Sequence, residues 1–107
     1  MLRAGEAWVP TEKILGYLLD LGHPVGRFKA RVFRSLGYDE ANAGGLATQL
    51  AEIGRSQEVI KSESTPHGMK YVVDGVLKTP IGVDSKIRTV WIIEGNQGPR
   101  FVTAYPG

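Results

Sequence analysis

The chain has 107 residues, the size of one ordinary domain, and we expect residues 1–107 to form a single domain. Hydrophobic residues make up 42% and charged residues 22%, which excludes a disordered chain, and the lack of cysteine excludes disulfide scaffolds, iron–sulfur sites and thiol catalysis. The net charge of +2 by itself indicates no particular partner.

The start of the sequence gives no sign of export. Met1–Gly5 are too polar for a signal peptide, and no stretch approaches the roughly 20 apolar residues that a membrane helix needs. We therefore expect a cytoplasmic protein without a membrane partner.

Helical patterns fill the first half of the chain. Thr11 is placed to cap a first helix, in which apolar residues recur at helical spacing as far as Leu21. Residues 22–26 end this helix, because Pro24 excludes the preceding residue from the helical region and two glycines flank it.

Two further helices are predicted. The second covers about Arg27–Leu36 and ends at Gly37, a residue typical of helix C-termini. Asp39 is placed to cap the third helix, and firm helix is expected only after the Gly44–Gly45 pair, since glycine disfavours helix.

The second half is rich in β-forming residues separated by turn signals at Thr79–Gly82 and Glu94–Pro99. Helices first and strands afterwards predict an α+β fold, with N-terminal helices followed by an antiparallel β-meander of about four strands. The predicted strands are Glu58–Lys61, Met69–Leu77, Ile87–Ile93 and Arg100–Tyr105.

Several kinds of site are excluded by their missing motifs. The sequence has no phosphate-binding loop, no dinucleotide fingerprint and no nucleophile elbow. His23 and His67 lie in separate loops without an acidic cluster, which argues against zinc, and His67 is typical of a turn residue. We expect no metal, no cofactor and no covalent intermediate.

A basic block lies in the second helix, with no acidic residue between Asp20 and Asp39. Such a block either binds phosphate backbones or forms a solvated helix face, and the sequence leaves both open. The block consists of Arg27, Lys29, Arg31 and Arg34.

Lys29 departs from the pattern of its helix. At 100° per residue it projects into the apolar arc, between Phe33 and Leu36, whereas the three arginines lie on the opposite side. A lysine there either extends past the helix start into solvent or points into a cleft between helix and sheet. In the cleft, its ammonium group would stabilise the charge of a phosphorane. The arc also contains Phe28 and Val32.

His23 lies in the loop that enters the same helix. It either bonds a backbone carbonyl and fixes the Pro24 turn, or serves as an acid–base group, because a histidine titrates near neutral pH. A helix start also presents N–H groups that favour an anion. His23, Lys29 and the amides around Gly26 are thus able to converge on one phosphate.

The sheet offers further polar groups. Strand parity places Phe101, Thr103 and Tyr105 on one face, which presents two hydroxyl groups; both residue types are also ordinary in strands. Arg88 lies within an apolar strand and needs an anionic partner, which is either Asp74 of the neighbouring strand or a ligand.

Segments at both ends of the chain resemble a small bacterial family of unknown function. Members of that family occur as short proteins and as the last domain of toxin-like chains. Its order of helices followed by a sheet is similar to that of the nuclease group of barnase, EndoU, colicin D and RelE-type interferases. Its functional residues are similar to those of toxins of the ribonuclease A type. The segments are Val9–Lys13, Tyr17–Leu19, His23–Phe33, Arg88–Ile93 and Phe101–Pro106.

The resemblance implies roles for five residues. His23 is implied as base or acid, Lys29 and Arg88 as phosphate clamps, and Thr103 with Tyr105 as hydroxyl partners. The second catalytic histidine of the ribonuclease A type has no counterpart, so the general acid is either Tyr105 or Lys29.

The resulting hypothesis is a metal-independent endoribonuclease of the toxin type. Arg27, Arg31 and Arg34 would hold the flanking RNA backbone, and an acidic antitoxin or immunity protein would neutralise the enzyme. The alternative is a non-catalytic module that binds protein or nucleic acid through the basic helix, residues 27–36. An enzyme for a small phosphorylated metabolite is disfavoured, because so small a domain encloses little volume.

Overall fold

Helices occupy the first half of the chain and strands the second. The computed structural model describes residues 7–24 and 27–106, without the side chain of Thr11. No helix within these ranges is long and apolar enough to cross a membrane. The elements are α1 (Thr11–Lys13) continued by a π-helical turn, η1 (Ile14–Leu18), then α2 (Arg27–Ser35), α3 (Ala43–Ser56), β1 (Val59–Thr65), β2 (Gly68–Lys78), β3 (Asp84–Ile93) and β4 (Arg100–Pro106).

The four strands form one antiparallel sheet in the order β1-β2-β3-β4. Each strand pairs with the next along the chain, as short connections favour. The β2–β3 connection turns at Gly82, whose φ of 86° suits a glycine. The predicted α+β fold, with helices before a four-strand meander, is confirmed.

The two faces of the sheet have different surroundings. On the helix-packed face, Trp91 lies directly against Gly54 of α3. Residues that pair across strands share a face, and successive residues alternate. The row of Asp74, Arg88 and Tyr105 therefore lies on the opposite, outer face. The next row on the outer face is Val72, Val90 and Thr103.

The core lies between α3 and the helix-packed face. Trp91 is fully buried, and its ring contacts that of Phe101 edge-on at 5.4 Å between centroids. The indole N–H donates to Thr89 Oγ1 at 2.8 Å, and the Thr89 hydroxyl donates to the Val73 carbonyl at 2.6 Å. This chain of bonds satisfies the polar atoms of two buried side chains.

The first helix differs from its predicted pattern. The Leu19 N–H bonds to the Ile14 carbonyl, a π-type step that inserts one residue into the turn. Leu18 and Leu19 are both buried as a result, whereas Leu21, predicted to lie on the buried stripe, is exposed.

The other two helices differ from the sequence predictions at three points. Phe28 is 60% exposed, because α2 instead buries Ala30 and Phe33. The third helix begins at Ala43 and includes both glycines that were expected to precede it. Asp39 accepts a bond from the Ala41 N–H and does not cap this helix.

A register shift in β4 corrects the predicted strand parity. Trp91 pairs with Phe101 but Val90 pairs with Thr103, so Val102 is the extra residue of a bulge. Phe101 is consequently buried on the helix-packed face, while Thr103 and Tyr105 lie on the outer face.

The contact between α3 and Trp91 predicts opposite effects for two alanine substitutions. A Cβ at Gly54 would lie 2.6 Å from Trp91 Cζ2, so Gly54→Ala should lower the free energy of unfolding by about 1–3 kcal/mol. A Cβ at Gly45 meets nothing within 4 Å, so Gly45→Ala should raise it by up to about 1 kcal/mol. Urea denaturation measures both, and equal stability of the two variants would contradict this packing.

Candidate active site

Three side chains, from the loop before α2, from α2 and from β4, meet around the ring of Tyr17 in η1. The hydroxyl groups of Tyr17 and Thr103 are hydrogen-bonded at 3.1 Å. The His23 ring lies edge-on to the Tyr17 ring, with 5.2 Å between centroids, and Lys29 Nζ lies 5.7 Å from the Tyr17 centroid. We call Tyr17, His23, Lys29 and Thr103 the Tyr17 cluster.

Local backbone features bring these groups together. The π-helical turn places Tyr17 at the edge of the sheet, where its hydroxyl reaches β4. The bulge at Val102 puts Thr103 on the outer face. His23 is held in its loop by bonds of its N–H to the Asp20 carbonyl and of its carbonyl to the Arg27 N–H.

The surroundings of Tyr17 alter its acidity. Burial raises the pKa of its hydroxyl, but hydrogen bonds with Thr103 and Lys29 and the positive charges of Lys29 and Lys13 lower it. The lowering effects prevail, so the pKa of Tyr17 lies below its ordinary value. A tyrosine in this state gives up its proton more readily than an exposed one.

Lys29 is directed toward the sheet edge. Its side chain is half-buried, and its ammonium group lies over Tyr17. The ammonium group thus lies against Tyr17 of η1, whose hydroxyl bonds to β4, and does not extend past the start of α2.

Arg88 has an internal partner on the outer face. Its Nε and Nη2 donate to the two carboxylate oxygens of Asp74 at 2.8 and 3.0 Å, which lowers the pKa of Asp74 and raises that of Arg88. Tyr105 lies opposite Arg88 in the register and adds to the upward shift of the arginine pKa. The Arg88 side chain is 40% exposed, so it remains accessible to a ligand.

The two groups of side chains are neighbours along β4. Thr103 belongs to the Tyr17 cluster and Tyr105 to the Arg88 row, and their Cα atoms are about 7 Å apart on the same face. The structure therefore brings three of the five predicted catalytic residues, His23, Lys29 and Thr103, to Tyr17, and it places Arg88 and Tyr105 in the next row of the outer face. The predicted amides around Gly26 lie outside the described residues.

The basic block of α2 divides between two environments. The guanidinium groups of Arg27 and Arg31 lie 5.2 and 5.6 Å from the ring centroid of exposed Phe28. Arg34, in contrast, donates to the Leu19 carbonyl and to Glu40. Unlike the other two arginines, Arg34 thus has donors engaged within the chain, and these bonds hold α2 to its neighbours.

Tyr17 is the site residue that sequence reasoning missed. It belongs to a segment that carried the family resemblance, but helical periodicity gave it no role. Only the π-helical turn and the β4 bulge together bring it to Thr103. No three Asp, Glu or His side chains within residues 7–24 and 27–106 are grouped as a metal site would require.

Comparison with known proteins places the chain in a family. Residues 3–107 match the family described as Domain of unknown function (DUF6883). The chain belongs to the DUF6883 family. The resemblance to a family of unknown function is thereby confirmed. No curated protein sequence matches this DUF6883 chain.

A solved structure shares the fold of this DUF6883 chain. It is a chain of the contact-dependent growth inhibition toxin–immunity protein complex from Klebsiella pneumoniae 342, with a TM-score of 0.72 and 19% sequence identity over 92% of this chain and 91% of that chain. At this level of identity the similarity shows the fold alone.

The contacts of Tyr17 predict the effect of two substitutions on its ionisation. Thr103→Val removes a hydrogen bond and Lys29→Met removes a hydrogen bond and a charge, so each should raise the pKa of Tyr17. The ¹³Cζ chemical shifts of the tyrosines, followed against pH, measure the pKa of Tyr17. The Tyr17→Phe variant identifies which signal belongs to Tyr17. Thr48→Val, on the exposed side of α3, should leave that pKa unchanged, and an unchanged pKa in the first two variants would contradict the site geometry.

Proposed function

We propose that the protein is a metal-independent endoribonuclease of the toxin type. It cleaves RNA by attack of a ribose 2′-hydroxyl on the adjacent phosphate, which leaves a cyclic phosphate and a 5′-hydroxyl end. The observation that carries this proposal is the Tyr17 cluster. An imidazole, an ammonium group and two hydroxyl groups from separate elements meet there at an accessible sheet edge.

Each member of the cluster has a role in this reaction. His23 accepts the proton of the 2′-hydroxyl as that oxygen bonds to phosphorus. Lys29 stabilises the additional negative charge on the phosphorane. Tyr17 donates its proton to the departing 5′-oxygen, and Thr103 orients the Tyr17 hydroxyl. This proposal assigns the general acid to Tyr17 in place of the two candidates that the sequence left open, Tyr105 and Lys29.

Neighbouring groups hold the RNA strand. Arg88, oriented by Asp74, and Tyr105 bind a phosphate next to the cleaved one on the outer face. Arg27 and Arg31 bind the flanking backbone, and the exposed Phe28 between them offers a surface for stacking.

The similarity to a chain of a toxin–immunity protein complex supports a protein partner as well. An intracellular ribonuclease would damage the cell that makes it, so it requires a neutralising antitoxin or immunity protein. Because Lys29 lies in the site and Arg27 and Arg31 are exposed beside Phe28 on the same helix, that partner is acidic. Its RNA substrate places the activity in the cytoplasm.

A second candidate function is a non-catalytic module that binds protein or nucleic acid. Phe28 and its two arginines favour it, because an exposed aromatic ring beside guanidinium groups is typical of binding surfaces. This module would not need the Tyr17 cluster. The two functions therefore differ in which substitutions abolish activity.

Induced expression in a bacterium tests the proposal, with total RNA examined for new 5′-hydroxyl ends. Wild type should arrest growth and produce discrete fragments. His23→Ala and Tyr17→Phe should each reduce cleavage by the purified protein about a hundredfold or more, with EDTA present throughout. Tyr38→Phe is the matched control. It removes another partly buried hydroxyl, bonded to Gln49 and the Lys78 carbonyl, without touching the cluster.

Circular dichroism and urea denaturation establish that each variant is folded. Full cleavage by folded His23→Ala and Tyr17→Phe would overturn the catalytic roles. Intact RNA with every variant, combined with RNA binding that is lost in a double Arg27→Ala and Arg31→Ala variant, would support the binding module instead.

A further inference from the structure

A groove of about 460 Å³ lies beside the Tyr17 cluster on the outer face of the sheet. Its floor is apolar and consists of Ile92 and Val102. Its rim carries Lys13, His67, Lys70 and Arg100.

The groove adjoins the Tyr17 cluster at two points. Val102 is the bulge residue next to Thr103. Lys13 lines the groove, and its ammonium group lies 5.4 Å from the Tyr17 ring centroid. A chain molecule whose reacting phosphate is at Tyr17 would thus extend directly into the groove.

The charges of the rim favour an anion. Arg100 is paired with Glu94 at 2.6 Å, so these two charges largely offset each other. Lys13 and Lys70 remain as cations on two sides of the apolar floor, and the paired register places Lys70, Ile92 and Arg100 in one row across the sheet. A ligand that suits the groove has a flat apolar part and a negative group.

We propose that this groove binds the nucleotide that follows the cleaved phosphate in the RNA strand. Its base lies on Ile92 and Val102, its phosphate contacts Lys13 and Lys70, and the His67 ring at the rim contacts the base. The proposal rests on the ribonuclease function for its place in the strand. Nucleotide binding by the groove is measurable without cleavage.

The volume of the groove and the chemistry of its lining favour a nucleotide over other anions. Inorganic phosphate would leave the apolar floor uncovered, and the volume of the groove falls within the range of sites for small organic ligands. An acidic peptide such as oligoglutamate would pair with the two lysines but has no flat apolar group to cover Ile92 and Val102.

Methyl NMR on the intact chain tests the proposal. The probes are the four ribonucleoside 3′-monophosphates, inorganic phosphate and an oligoglutamate peptide, each titrated separately. At least one nucleotide should shift the methyl signals of Ile92 and Val102 while those of Val83, in the β2–β3 turn, stay unchanged. Inorganic phosphate and the peptide should bind at least tenfold more weakly.

Two lysine variants provide the matched comparison. Lys70→Ala should weaken nucleotide binding about threefold to fivefold, since it removes one charge at the groove. Lys86→Ala removes a lysine from the same outer face of β3, six residues and about 20 Å from Ile92, and should leave the affinity unchanged.

Three results would overturn the groove proposal: no shift of the Ile92 and Val102 methyl signals with any nucleotide, an equal loss of affinity in both lysine variants, or tighter binding of phosphate or peptide. Its failure is distinguishable from failure of the ribonuclease. RNA cleavage without nucleotide shifts refutes the groove alone, whereas nucleotide binding without cleavage supports the groove and refutes the enzyme.

Discussion

The close approach of α3 to the sheet is the constraint on which the rest of the structure depends. Gly54 has no side chain at the point where Trp91 fills the space between helix and strand, and the Trp91 indole is anchored by Thr89. Because of this contact, one face of β2, β3 and β4 packs against the helices and forms part of the core. The charged and hydroxyl groups of alternate residues are thereby left on the outer face, where the candidate site lies.

Much of the fold follows from local sequence, but the site does not. The strands were predictable because β-branched and aromatic residues alternate between clear turn signals, and α2 because it begins after Pro24 and ends at Gly37. The π-helical turn and the β4 bulge each insert one residue, and such insertions depend on tertiary hydrogen bonds that neighbouring residues do not encode. The contact of Tyr17 with Thr103, 86 residues apart, needs both.

The four basic residues of α2 are close together in the sequence but make different contacts in the structure. Successive positions in α2 face different directions, so Lys29 reaches Tyr17 while Arg27 and Arg31 flank Phe28 in solvent. Arg34 faces the loop after η1 and bonds to the Leu19 carbonyl. Net charge or charge density alone could not distinguish these contacts, because all four side chains count equally in the sequence.

The bulge at Val102 also allows one strand, β4, to supply apolar residues to the core and hydroxyl groups to the outer face. Without the additional residue, strict alternation would send Thr103 toward the core whenever Phe101 faces it, and Ala104 would turn outward. With it, Phe101 and Ala104 both pack inside while Thr103 and Tyr105 both face outward. Substitutions at the two outward positions can therefore alter the reactivity of the surface while the packed interior keeps its composition.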